Sequence, residues 1–497
     1  MFKKMKKIIY LFVLVLFSTT ACNEIIEPKL SDTGQVGVAE FYTDFLGAFQ
    51  GINGVYTSLR GVYSRHWITD ALSDDGQISA GGDQQFADLE FQTVQSNSSI
   101  AASLWSLNYV GIYRANVFLE RAPKIAGLQG NQAILQDQFM GEAYFLRALF
   151  YHNLVRLFGD VPLITKEITD TRSLNVPRNS VQEVQAQIEK DLLEAIRILP
   201  ERHPNPKLIQ PVVNIPGGRE VGRATLGSAK TLLADLYLSR NESAKAEALL
   251  QEVVNSGVYS LNIPFTRNFE ALGGPENSPE SIFEAQYASV SLATGAQNDF
   301  SFQFAPIEDA PGGVQGLARN RPSDNSLIEG VELKNTLVQS FATNDLRRTA
   351  TVKISTTIPI RTINAKFWIQ GAANQGAANW PVYRYADVIL MLAEAQQNQG
   401  KDAAALTEVN KLHAGGRTGL TPPTGLTGTA LRDEIRRQRR LELCMEGKRW
   451  FDLMRWNALE STMTAHGRPL QKGTKGLLPI PQGEIEKNPS FKQNEGY

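Results

Sequence analysis

The sequence predicts a mainly α-helical protein: tetratricopeptide-like helix pairs, about four of them, forming a right-handed scaffold, with a loop-rich insertion that contains short β-strands. Three observations predict it. Apolar residues recur at three- and four-residue spacing over long stretches on both sides of the chain's middle. Two segments, near 232–253 and 392–412, repeat the same small-and-large alternation across a helix–turn–helix. Between them, in residues 258–380, helical periodicity fades while Gly, Pro, Asn and Ser rise.

The chain opens on an export leader. Lys3, Lys4, Lys6 and Lys7 precede the unbroken apolar run Ile8–Phe17, and Ser18-Thr19-Thr20-Ala21-Cys22 follows. A basic start, a short apolar stretch and small residues form a signal peptide, and the apolar run is too short to span a bilayer. A cysteine directly after the small residues is where a bacterial lipoprotein is cleaved and acylated. Residues 1–21 are therefore expected to be a lipoprotein signal peptide, Cys22 the lipidation site and 22–36 a lipidated tether. Two or more acyl chains anchor stably where one is marginal. Thr19 stands where such signals usually carry an aliphatic residue.

The 497-residue chain has a formal charge of −1, and loss of the basic leader makes the rest more negative. That balance argues against nucleic acid as a partner, since phosphate backbones need a basic surface. Cys22 and Cys444 are the only cysteines, so an acylated Cys22 leaves no disulfide framework and no thiolate zinc cluster. Cys444, among Leu441, Leu443 and Met445, reads as a small core residue.

The elements follow in order. Phe41, Phe45, Phe49, Ile52, Tyr56, Leu59 and Tyr63 stripe a first helix, and Trp105, Tyr109, Ile112, Asn116 and Leu119 a second. A third runs from about Asn131 to Phe158 and stops at Gly159-Asp160-Val161-Pro162. Ser180 and Glu183 make a capping box for a fourth, which Pro200 ends. Residues 201–222 read as a loop; Ala224–Arg240 and Glu242–Asn255 then form a helix pair, with Gly257 suited to a left-handed end. Inside the insertion, Ser281–Gln286, Phe300–Phe304, Thr349–Ile354 and Ala365–Ile369 read as short strands. Leu431–Glu446 is a highly charged helix, Arg449–Trp456 continues it, and 457–497 reads as an extended tail.

Chemistry is sparse. There is no Walker loop, Rossmann glycine pattern, His-Glu-x-x-His or Gly-x-Ser-x-Gly, so no enzyme class and no cofactor is indicated. The five histidines show no metal-ligand spacing, and no metal site is expected. Asp74, Asp75 and Asp83 form the densest acidic group, short of a complete calcium loop. The run Arg436-Arg437-Gln438-Arg439-Arg440 has Asp433, Glu434, Glu442 and Glu446 within helical reach and reads as ion-paired. Aromatics in loops are the remaining clue, because sugar C–H faces stack on aromatic rings while hydroxyls take polar side chains. On that ground His66, Trp67, Asp74, Asp75, Phe86, Phe300 and Trp368 are the candidate binding residues. Trp105, Trp450 and Trp456 fall on helical stripes and read as core.

Several segments together resemble the SusD/RagB family: the leader with Cys22, Trp105–Asn116, Gly141–Tyr151 with Leu157–Leu163, Tyr383–Ala395, Arg436–Trp456, and Leu478-Pro-Ile-Pro with Asn488-Pro. They cover nearly the whole mature chain in order, with 37–497 as one domain: repeat parts 37–257 and 381–456, a variable region 258–380 and the tail. The resemblance implies a non-catalytic, surface-exposed outer-membrane lipoprotein of a Gram-negative bacterium. It would bind glycans and act as the lid of a SusC-like TonB-dependent barrel. The matched motifs are scaffold motifs, so no ligand residue carries over. A tetratricopeptide-type protein scaffold, or a peptide-cargo binder of the same kind of complex, is the alternative.

Overall fold

The computed structural model describes residues 41–78, 84–169, 176–202, 222–269, 277–287, 300, 304, 321–324, 327–328, 331–354, 362–367 and 378–497. Asp44 accepts the Gly47 N–H at 2.8 Å and starts helix α1, Phe45–His66. Helix α2, Ser99–Arg121, lies against α1, and α3, Asn131–Phe158, packs on both. Gly111 of α2 leaves room for an α3 ring: a Cβ there would sit 2.4 Å from Phe150. Helix α4, Val181–Ile198, begins at the expected Ser180–Glu183 capping box. It is locked to α3 by Arg147, which donates to both Asp191 oxygens at 2.7 and 2.8 Å.

The second half of the scaffold repeats the plan. Helices α5, Leu226–Ser239, and α6, Ser243–Asn255, form one pair; Gly257 takes the left-handed conformation its position predicts, with φ +64°. Helices α7, Tyr385–Gln397, and α8, Asp402–Lys411, form the next pair, and α7 packs on α6. Helix α9, Gly428–Leu443, lies on α7 and α8, and α10, Arg449–Arg455, follows a tight turn. That turn needs Met445 and Gly447 at positive φ, which breaks the continuous helix expected through Glu446. Large aromatic and aliphatic side chains from α1–α7 and α10 merge into a single apolar core.

The insertion reaches this scaffold through short antiparallel ladders. Strand β1, Ser281–Ala285, pairs with β2, Trp380–Arg384, placing Phe283 edge-on to Phe145 of α3 at 4.8 Å. Elsewhere the strand expectations are corrected. Phe300 and Phe304 are helical, one turn apart with stacked rings. Leu346–Thr351 is helical and only Val352–Ile354 is strand. The partner strand is Thr362–Asn364, with 365–367 a turn, because Asn364 bonds the Lys366 N–H and curls the chain. The tail also holds two short helices, Leu459–His466 and Gln482–Lys487.

A buried ionic hub joins insertion to scaffold. Glu280, Asp345, Arg347 and Lys366 come from the insertion, Arg384, Arg417, Glu442 and Glu446 from the segments after it. Arg384 bonds Glu280, and also Glu446 at 2.8 Å; Lys366 reaches Glu446 at 2.5 Å. Buried charges persist only when paired, so this even set of cations and acids holds only when every strand is in place. Phe265 covers the hub, its ring 5.0 Å from the Arg417 guanidinium carbon.

Candidate functional site

The loop residues picked out by sequence lie together, but inside the molecule. Trp67, at the C-terminal end of α1, is 0% exposed, stacks on Phe86 at 6.0 Å and meets Phe304 edge-on. Phe300 contacts Trp380 at 5.3 Å, and Trp380 stacks on Phe367 at 4.8 Å. His66 is buried beside Phe451, and burial, then the charges of Arg156 and Lys448, hold its pKa well below the imidazole range. These rings form a core, and no face of Trp67, Phe86 or Phe300 is open to a sugar. The expected platform is corrected accordingly. Trp368, Asp83 and Phe302 lie outside the described residues, as do the leader and Cys22.

The acids are equally committed. Arg449 grips both Asp74 oxygens at 2.8 and 2.9 Å, and Arg440 adds a 3.0 Å contact to Asp74 and a 2.6 Å bond to Asp75. Burial would raise the Asp74 pKa, but the two arginines hold it well below the carboxylate range; for Asp75 burial prevails and the pKa is raised. The pair is a clasp between the 73–75 turn and α9–α10, with neither carboxylate open to a cation. Sequence read these acids as a loop cluster because their arginine partners lie more than 360 residues away.

Two of the hollows lined by described residues are large enough to matter for binding. The first, about 190 Å³, opens between α3, α4, α5 and α10. Its chain of contacts runs from His152 Nε2 to Asp235 at 3.2 Å, with the Tyr383 hydroxyl donating to the same carboxylate at 2.7 Å. Lys448 meets Asp387 at 3.0 Å, and Arg439 bridges Asp387 and Asp452. Burial, then Arg156, lowers the His152 pKa to about 4, so it is neutral at pH 7. Lys448, Arg439 and His152 each face a carboxylate here, and this lining reads as a structural ion network.

The second hollow, about 260 Å³, lies where the α5–α6 turn, the end of α7, α9 and the end of α10 converge. Trp456 is half-buried at its edge and donates its indole N–H to Glu394 at 2.9 Å. Arg436 lies over that indole with its guanidinium carbon 4.7 Å from the ring centroid. The arginine run is thus paired at Arg437, Arg439 and Arg440 and departs from expectation at Arg436. The signal was available: Arg432 and Arg436 are one helical turn apart, with Glu434 pointed at Arg437.

Comparison with known proteins places this geometry in context. Residues 350–497 match the model of the SusD family, and 49–211 match a model described as starch-binding, associating with the outer membrane. SusD-like protein P2 of Formosa agariphila is 25% identical over 99% of this chain and 100% of its own length. SusD-like protein P38 of the same organism is 24% identical over the full length of both. Among solved structures, a laminarin-binding SusD-like protein superposes with a TM-score of 0.76 at 27% identity, covering 92% of this chain and all of that one. A SusD superfamily protein of Bacteroides vulgatus shares the fold, with a TM-score of 0.75 at 22% identity over 92% of this chain and all of that one.

Proposed function

The chain belongs to the SusD/RagB family, and on that premise we propose that it is a cell-surface glycan-binding protein that captures oligosaccharides without cleaving them. The observation that carries the proposal is the likeness, across 92% of this chain, to a SusD-like protein that binds laminarin. A β-glucan is accordingly the first ligand to try. The reading places Cys22 in the outer membrane as an acylated anchor and gives the protein a SusC-like TonB-dependent barrel as partner. An anchor on one membrane raises the effective concentration of a lid beside its barrel. The domain then comprises 37–497, and the ligand surface includes Trp368, in the variable region 258–380, and Phe91, which is 36% exposed.

Deletion of the gene is the direct test. Cells lacking the protein are expected to lose uptake of a labelled oligosaccharide while the acylated protein, purified from the wild type, brings a β-barrel with it. Unchanged uptake, or release of shortened products by the purified chain, rules the proposal out.

A further inference from the structure

Of the two hollows, the one at Trp456 carries charge that the fold does not neutralise. Three arginines, Arg432, Arg436 and Arg455, line it with one glutamate, Glu394; Arg455 is neutralised by Glu394 and by Asp452 at 2.8 Å, which leaves Arg436 and Arg432. Glu394 is committed: it takes a bidentate grip from Arg455 and the Trp456 indole N–H. Among the described residues Arg436 makes no ion pair and no hydrogen bond; its contact is the face of Trp456. Partial burial pulls its pKa below the ordinary guanidinium value; the charge of Glu394 works against this, and those of Arg432 and Arg455 add to it. Arg432 is half-exposed and, among the described residues, pairs with Asp433 alone, at 3.4 Å and itself largely in solvent, a contact worth little.

Neutral hydrogen-bonding groups surround these cations. Asn241 and Asn457 sit in the turns after α5 and α10, both at positive φ, and their side-chain amides make no hydrogen bond among the described residues. Asn398 and Gln397 border the same hollow on weak bonds of 3.2 and 3.3 Å. The apolar residues beneath, Leu238 and Ile435, are buried and offer no anchor for an apolar side chain. An amide both donates and accepts, which suits vicinal hydroxyls, and a planar guanidinium suits a carboxylate or sulfate. At about 260 Å³ the hollow is smaller than sites for drug-sized ligands, roughly 300–1,000 Å³, and fits one sugar residue.

We propose that this hollow is a subsite for an acidic sugar, a uronate or a sulfated residue, with Arg436 and Arg432 taking the anion and Asn241 and Asn457 the hydroxyls. The inference rests on the glycan-binding reading and extends it to the charge of the cargo.

The test is calorimetric titration of the mature chain with a short oligouronate, a sulfated oligosaccharide, a neutral laminarin oligosaccharide and a glutamate-rich peptide. An acidic oligosaccharide is expected to bind, more weakly as salt rises. Arg436→Gln is expected to weaken it about tenfold, equivalent to about 1.4 kcal/mol, and Arg432→Gln/Arg436→Gln further. Both positions are partly exposed, so melting temperature should stay at the wild-type value and neutral-glycan binding should not change. Neutral binding without acidic binding overturns the subsite and leaves the glycan reading intact. Acidic binding indifferent to Arg436→Gln places the site elsewhere. Peptide binding through Arg436 without sugar binding assigns the hollow to a protein partner. Failure of every sugar, neutral and acidic, sinks the glycan reading itself.

Discussion

Arg417 holds Glu442 through both nitrogens of its fork, Nη1 to Oε2 at 2.9 Å and Nη2 to Oε1 at 2.7 Å, with neither side chain exposed. The same carboxylate also receives Arg384 and Arg347. One glutamate of α9 thus gathers guanidinium groups from three separate segments.

Removing that charge should be costly. Glu442→Gln leaves buried guanidinium charge uncompensated, and a loss of about 3–5 kcal/mol in urea unfolding is expected. Burial works to raise the Glu442 pKa, but Arg417, Arg384 and Arg347 overcome it and hold it below the ordinary value of 4.5. Its contribution is therefore full above pH 4.5 and is lost as pH falls towards the depressed folded value. A variant as stable as wild type at pH 7 would contradict the hub's role.

His152 gives a second pH dependence, at milder acidity. Its pKa is lowered from 6.5 to about 4 by burial first and Arg156 second, with Asp235 working the other way. The unfolded chain therefore binds a proton before the folded one does, and stability falls as pH drops from 6.5 to 4. Between pH 7.5 and 5.5 this histidine should account for about 1.3 kcal/mol. His152→Asn should flatten the stability profile by that amount; an identical slope in both proteins would exclude His152 as the group responsible.

Trp67→Ala should act on stability. The indole fills space between Phe86 and Phe304 with no exposed surface, and large-to-small changes of this kind cost about 3–5 kcal/mol. Glycan affinity per folded molecule should stay unchanged. A variant with wild-type melting and lost glycan binding would show the ring to be an open platform after all.

The clasp between Asp74 and Arg449 can be weighed by a double-mutant cycle. With two bonds under 3 Å between buried groups, Asp74→Asn and Arg449→Gln should couple by about 1–3 kcal/mol. Additive effects would mean that the two residues do not act together.

The scaffold was legible because its causes are local. Apolar spacing, the Ser180 capping box and the glycine at 257 are read over one or two turns, and the helices α1 to α6 formed where their stripes lie. The site was less legible because its causes are distant. Trp67 and Asp74 carry the composition of a binding loop, and only the arrival of Phe304, Arg440 and Arg449 turns them inward. The strand misread at Phe300–Phe304 failed similarly, since isolated apolar runs of that length fit either helix or strand until packing decides, and the one begun at Ala365 turns where Asn364 takes the Lys366 N–H. Arg436 was read as paired because acids stand nearby in sequence; the helix turns them to other arginines.

The most direct measurement is affinity electrophoresis of the mature chain through gels containing laminarin and a panel of other polysaccharides, with an assay for reducing ends on the same mixtures. The account predicts retardation by one glycan class with no reducing ends released. Free migration through every polysaccharide, or release of reducing ends from the one that binds, would contradict it.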